Sequence, residues 1–315
     1  MENSRAEALE ETLPESGPSR PKKRKKKIDK GATVFLVVML SVPICHWFVF
    51  WLYVNINSIK LAFQLPDESW TLNNFKMLFY ELSVPDSKIT VAIKNTFIYF
   101  CNSMFIIMPL SLILSYFFYK KIFLYKQLRV VLYLPAIISA VALTSAFANI
   151  IAPSGPVGVM LEKMGVDPVP KFLSDARYAT WAMVFYCTWT GVGTGTLLFQ
   201  GAMARIPTDV LEAARLDGCR VGSELIHIVF PLILPTVSTQ IMLLMTGLFN
   251  ASGPILLLTN GEHETTTIAF WIFYEVKFNG SLNNVSAAGL FFTAIGVPVI
   301  LLVRWLLERI PAVEY

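Results

Sequence analysis

Six long apolar runs, at 32–54, 91–119, 129–151, 180–203, 236–258 and 284–307, alternate along the chain with segments richer in charge, Pro and Gly. Runs of about 20 apolar residues are long enough to cross the hydrocarbon core of a bilayer as helices. The third to sixth hold no Asp, Glu or Lys in their apolar parts, and Arg304 falls only in the last turn of the sixth. The pattern predicts an all-α polytopic membrane protein with six transmembrane helices. Composition agrees, with 55% hydrophobic and 15% charged residues, outside the range of ordinary soluble domains.

Basic residues near the span ends set the orientation. One side collects Arg20, Lys22, Lys23, Arg24, Lys25, Lys26, Lys27 and Lys30 before the first run. Lys120, Lys121, Lys126 and Arg129 follow the second run, Arg205, Arg215 and Arg220 the fourth, and Arg304 and Arg309 close the sixth. The opposite connections carry a thinner scatter of Lys60, Lys76, Lys88, Lys94, Lys163, Lys171, Arg177 and Lys277. An even number of spans puts both termini on one side, and the bias makes that side cytoplasmic. Residues 1–30 are polar, with Pro14, Pro18 and Pro21 and no apolar signal region, and read as a disordered tail. Its basic cluster abuts a span. It therefore reads as an orientation signal and a contact for anionic lipid rather than for nucleic acid.

Residues 31–90 hold the first span and an outer connection with interface-type aromatics at Trp70, Phe75, Phe79 and Tyr80. A short helix is expected there, signalled from Thr71 onward. The outer connections 152–178 and 260–283 have compositions suited to a partner on that face. Cys45, Cys101 and Cys187 fall in spans and Cys219 in a cytoplasmic loop, so all four read as structural thiols.

Between the fourth and fifth runs, residues 205–235 are polar enough to need water. Asp209 stands three residues before Glu212, the spacing of a capping box, which predicts a helix from Val210. Gly218 can take the left-handed conformation that ends it. A second helix restarts near Ser223, and Pro231 and Pro235 lead into the fifth span. An interfacial amphipathic helix is the simpler reading, but Glu212 and Asp217 lie among the basic residues where an anionic surface would favour Lys and Arg alone.

The series Glu212, Ala213, Ala214, Asp217, Gly218, followed by Ile228, Pro231 and Pro235, resembles the signature cytoplasmic loop of permease subunits of binding-protein-dependent ABC importers. Similar features outside the loop are Asn95-Thr96, the stretch from Leu134 and Pro135 to Ser139, and Trp189 to Gly191, so the resemblance covers residues 92–309. It implies the type I importer permease fold, with a core at 91–310 and the coupling loop at 205–235. In that family the loop enters a cleft on a cytoplasmic ATP-binding subunit. The resemblance then makes Glu212 the charged contact, Ala213 and Ala214 the sites of close approach, Asp217 a cap or polar contact, and Gly218 the bend. Cys219 departs from the family's usual small residue. The segment from Thr266 through Ile272, Phe273 and Tyr274 to Phe278 is similar to the carbohydrate, maltose-type branch, with Lys277, Asn283 and Asn284 as departures.

No Gly-x-x-x-x-Gly-Lys-[Ser/Thr] loop is present, so nothing here cradles a nucleotide phosphate in P-loop fashion. ATP and Mg are expected on a partner chain, with no catalytic residue, metal ligand or cofactor on this one. A proton-coupled transporter would keep ionisable groups in its spans, and here His46 stands without a carboxylate. Uncharged polar and aromatic groups fit a path for a neutral hydroxylated solute: Trp189, Thr190, Gly191, Thr194, Thr246 and Asn250, with Thr188, Gln200 and Gln240 nearby. Gly191 and Gly195 also have the spacing of a helix-packing motif, and Gly247 and Gly253 that of a hinge.

The expected function is the transmembrane permease of an ATP-driven importer for a sugar or oligosaccharide, in a bacterial or archaeal cytoplasmic membrane. Its partners would be ATP-binding cassette subunits, a second permease forming a heterodimer, an extracytoplasmic solute-binding protein and membrane lipid, without nucleic acid. The competing readings are an importer permease for a peptide or ion, and a non-transporting anchor that recruits a cytoplasmic partner.

Overall fold

The computed structural model describes residues 30–250 and 252–310. The expected tail therefore lies outside the described residues up to Asp29. The chain divides into two compact units that meet in sequence at Ile56 and Asn57, and each is described by itself. The first unit is the leading part of helix α1, which runs Lys30–His46, widens into π-type turns over Trp47–Tyr53 and continues as Val54–Ala62. Its apolar side chains are exposed on all sides, Val34, Phe35, Leu40, Phe50 and Trp51 among them. A helix apolar all round is stable only where lipid or another protein replaces water.

In the second unit a short helix, α2 (Asn73–Ser83), answers the expected surface helix. The backbone N–H of Asn73 donates to Thr71 Oγ1 at 3.1 Å, and the buried Asn74 amide donates to the carbonyls of Ala62 and Gln64. Helix α3 runs Lys88–Tyr119, with π turns at Ser103–Ile107. Next come α4 (Tyr125–Ile137), α5 (Ala140–Ile151), α6 (Pro156–Lys163) and the unbroken α7 (Ala176–Met203). The loop helix α8 (Thr208–Leu216) leads to α9 (Val221–Leu232) and α10 (Leu234–Thr246). The rest is a 3-10 turn at Leu248–Asn250, α11 (Ile255–Leu258), α12 (Ile268–Tyr274) and α13 (Leu282–Glu308).

Helices α1, α3, α7 and α13, and α5 with α6 taken together over Ala140–Lys163, are long and apolar enough to cross a membrane, and α9 with α10, bent by 72°, makes a sixth span. Among the described residues the only strand-like feature is an antiparallel bridge between Gln64 and Trp70. Two of the expected spans are broken. The run 129–151 divides at Ile138, which is extended and precedes α5. The run 236–258 gives way after Thr246 and re-forms as helix only at Ile255.

The packing is organised around α7. Ser111 Oγ on α3 donates to the Val192 carbonyl at 3.1 Å and Ser115 Oγ to that of Thr196 at 2.9 Å. A side chain at Gly193 would overlap the Leu132 carbonyl on α4, and one at Gly195 would overlap Ser111. Small residues thus let three backbones approach, as they do where apolar lipid gives helices no hydrophobic reason to associate. At the other edge, Asn95 donates to the carbonyls of Glu264 and Thr266, and Thr96 Oγ1 accepts the Ile268 N–H at 3.0 Å. This fastens the connection 260–267 to the start of α3.

Candidate functional site

Helix α8 is short, and one face of it is buried. Leu211 and Ala214, one turn apart, are buried. Leu211 joins a cluster with Leu112 and Tyr116 of α3, Phe199 and Met203 of α7, Val229 of α9, and Val237 of α10. The loop is therefore anchored against four helices, α3, α7, α9 and α10. Its other face carries Glu212 and Ala213, both exposed, and Leu216, which is 89% exposed. Among the described residues Glu212 has no ion pair. An acidic group, a small residue and a bare leucine on one face form an amphipathic surface that no described residue covers.

The sequence expectations for the loop meet the structure unevenly. The helix begins at Thr208, so Asp209 lies inside its first turn, where a carboxylate favours the helix dipole, rather than before it. Gly218 has φ +78°, and the Cys219 N–H donates to the Ala214 carbonyl at 3.0 Å. That is the long closing bond of a Schellman motif, which needs a left-handed residue between. Asp217 and Gly218 are exposed, Ala214 faces inward, and Ala213 faces outward. Leu216 was missed by sequence reasoning because a leucine in an apolar-periodic helix reads as core.

Helix α9 carries a second feature with no sequence signal. Glu224 is 2% exposed and pairs with Lys120 at the end of α3. The Tyr116 hydroxyl donates to the Val221 carbonyl at 3.1 Å.

The candidate path residues lie on α7 and around the break after α10. Thr194, Thr246 and Asn250 are exposed, and Trp189 and Thr190 are half-buried. Thr190, Thr194 and Thr246 donate to carbonyls of their own helices, of Tyr186, Gly191 and Leu243, leaving hydroxyl lone pairs as acceptors. Trp189 stacks beside Phe147, with ring centres 6.5 Å apart. Gly191 faces Ile107 of α3. Gln200 is engaged, donating to the Tyr133 hydroxyl at 2.6 Å and accepting from Arg129 at 2.9 Å, and Thr188 donates to Asn102. Around the break, Gly253 takes φ +47°. Irregular backbone at this depth is tolerated where protein or a cavity satisfies it.

At the far end of α7 from the loop is a cleft of about 380 Å³, whose lining includes Asp86, Glu262, Glu264 and Glu275 together with Lys88 and Trp271. Nearby on α2, burial and the charge of Glu275 raise the Glu81 carboxyl above its ordinary range.

Apolar helices long enough to cross a membrane, one bent span and an anchored polar loop between α7 and that bent span define a polytopic helical membrane protein. The chain belongs to the family of binding-protein-dependent transport system inner membrane components, whose profile matches residues 93–311. It is thus the membrane component of a transport system. It is 23% identical over 305 residues to the polygalacturonan/rhamnogalacturonan transport system permease protein YteP of Bacillus subtilis, covering 92% of this chain and 93% of that one. Against the arabinooligosaccharides transport system permease protein AraP of the same organism it is 24% identical over 197 residues, covering 61% of each chain. Among solved structures it resembles a bacterial ABC transporter involved in the import of the acidic polysaccharide alginate, with TM-score 0.75 and 22% identity, covering 89% of this chain and 97% of that one.

Proposed function

We propose that the chain is the permease of an ATP-driven importer whose solute is an oligosaccharide, and that α8 is where an ATP-hydrolysing subunit docks. The observation that carries the docking reading is the division of α8 into a buried face, Leu211 and Ala214, and a bare one, Glu212, Ala213 and Leu216. A helix held from behind by four others can pass on a displacement applied to its front. ATP hydrolysis belongs to that partner chain, a second permease completes the path, and both termini share the cytoplasmic side with α8.

The saccharide reading rests on relatives named for saccharide transport and on the uncharged lining. Thr194, Thr246 and Asn250 offer hydroxyl and amide groups that can exchange hydrogen bonds with a sugar, and Trp189 offers an aromatic surface for its apolar face. One similar solved structure is described as importing an acidic polysaccharide, but none of the six path candidates here supplies a counter-charge, which favours a neutral chain. The acidic outer cleft is a surface for a solute-binding protein to meet.

Gentle purification of the wild-type chain should bring an ATP-binding subunit with it. Glu212→Lys should leave the spans folded and release that subunit, since the substitution reverses the charge on the docking face. Mass spectrometry of the purified material checks both. An ATPase that stays bound to the variant, with uptake intact, would count against the docking role of α8.

A further inference from the structure

We propose that Lys120 and Glu224 are positioning residues that clamp the inner end of α3 to α9, so that a displacement of the α8 loop moves two spans together rather than one. The inference rests on the docking reading of α8. Motion received on the bare face of α8 passes around Gly218 into α9 and, by chain continuity through the 72° bend, into α10. That covalent route bypasses α3, which meets α8 and α9 through the apolar cluster of Leu112 and Tyr116 and bears the Ser111 and Ser115 contacts to α7.

The clamp adds a charged tie to the apolar packing of Leu211 and Val229 against Leu112 and Tyr116 of α3. Glu224 lies in the first turn of α9 and its carboxylate is 2% exposed. Lys120 caps the C-terminal end of α3 and its side chain is 16% exposed. Each charge suits the end of the helix that carries it, an anion at an N-terminus and a cation at a C-terminus. Among the described residues Glu224 Oε1 accepts no well-formed hydrogen bond, so the Lys120 ammonium is its one compensating group. A buried carboxylate whose only partner moves away is left uncompensated, a state strongly disfavoured in a low-dielectric setting. The pair therefore resists separation more steeply than an apolar contact of the same area. The Tyr116 hydroxyl, bonded to the Val221 carbonyl, adds a second tie between the same two helices, and the Lys120 ammonium lies 5.6 Å over the Tyr116 ring. Three side chains thus join the two helix ends, while the bare face of α8 stays free.

The test uses the full chain purified with its ATP-binding subunits and placed in liposomes. It measures uptake per ATP hydrolysed for a labelled oligosaccharide that the wild type accepts from a panel of arabino-, gluco- and galacturono-oligosaccharides. Glu224→Gln, of nearly equal volume, should keep the ATPase bound and hydrolysing while uptake per ATP falls about tenfold, within the usual range of coupling energies. Lys120→Arg, which retains the pair, should keep the wild-type ratio. Tyr116→Phe should lower the ratio in the same direction but less, and it carries the test if Glu224→Gln fails to assemble. An unchanged ratio in Glu224→Gln, or in Tyr116→Phe where that variant carries the test, would overturn the clamp. So would release of the ATPase by Glu224→Gln, because the residue would then belong to the docking surface. Failure of the docking reading is separately visible, as retention of the ATPase by Glu212→Lys.

Discussion

Helix α7 and the span after the loop stand on either side of α8, yet they are built on opposite principles. Helix α7 runs 28 residues without interruption. Gly193 and Gly195 bring it against α4 and α3, and carbonyls of Val192 and Thr196 accept hydroxyl bonds from the neighbouring helix. The other span bends by 72° at its start, stays helical for the 13 residues of α10, and breaks before α11 at a left-handed glycine, Gly253. One is a post and the other is an arm with two joints. A transporter that opens alternately to two sides needs both, since rigid bodies move about the few residues that absorb the change in backbone angle.

Gly193→Leu attacks the post and should have the largest effect. Its side chain has no room beside the Leu132 carbonyl, which is backbone and cannot swing aside. Overpacking of this kind costs about 3 kcal/mol, read as a fall in the thermal midpoint of the detergent-solubilised complex on the order of 10 °C. Gly253→Ala attacks the arm. A left-handed backbone with a Cβ costs about 1 kcal/mol, and the new methyl would sit 3.3 Å from the Cys187 sulfur. The midpoint should fall less than for Gly193→Leu, while uptake at fixed ATP falls further than the lost stability accounts for. If the two variants lose stability and uptake in the same proportion, the distinction between post and arm fails. Thr194→Val is the finest probe, because the hydroxyl is exposed and bonds only its own helix. Stability should change by no more than about 0.5 kcal/mol, while apparent affinity for the sugar falls about threefold, the worth of one ordinary hydrogen bond.

Most of the spans were legible because lipid imposes a crude requirement, a long stretch without charge, but the third shifted from the expected 129–151 to Ala140–Lys163. Their interruptions were less so. The break at Ile138 has no glycine to announce it, and Pro135 lies inside α4 rather than at its end. The break after Thr246 was readable from Gly247 and Gly253 because only Gly253's backbone freedom makes its angle cheap. In the loop, the turn at Gly218 followed from local chemistry alone. The helix start did not, since Asp209 satisfied a spacing rule while the chain entered the helix two residues sooner. Least visible was the pair Lys120 and Glu224. Each is an ordinary charge next to a span, and only the folded path brings them together and takes the carboxylate out of water.

The bare Leu216 also matters before any solute is carried. On the docking role proposed for α8, a newly made chain that has not met its partner shows water a large apolar side chain on a polar loop. Synthesis in excess of the proposed ATP-hydrolysing subunit should therefore yield a less stable preparation. Producing the two together, in matched amounts, is the route to a stable preparation.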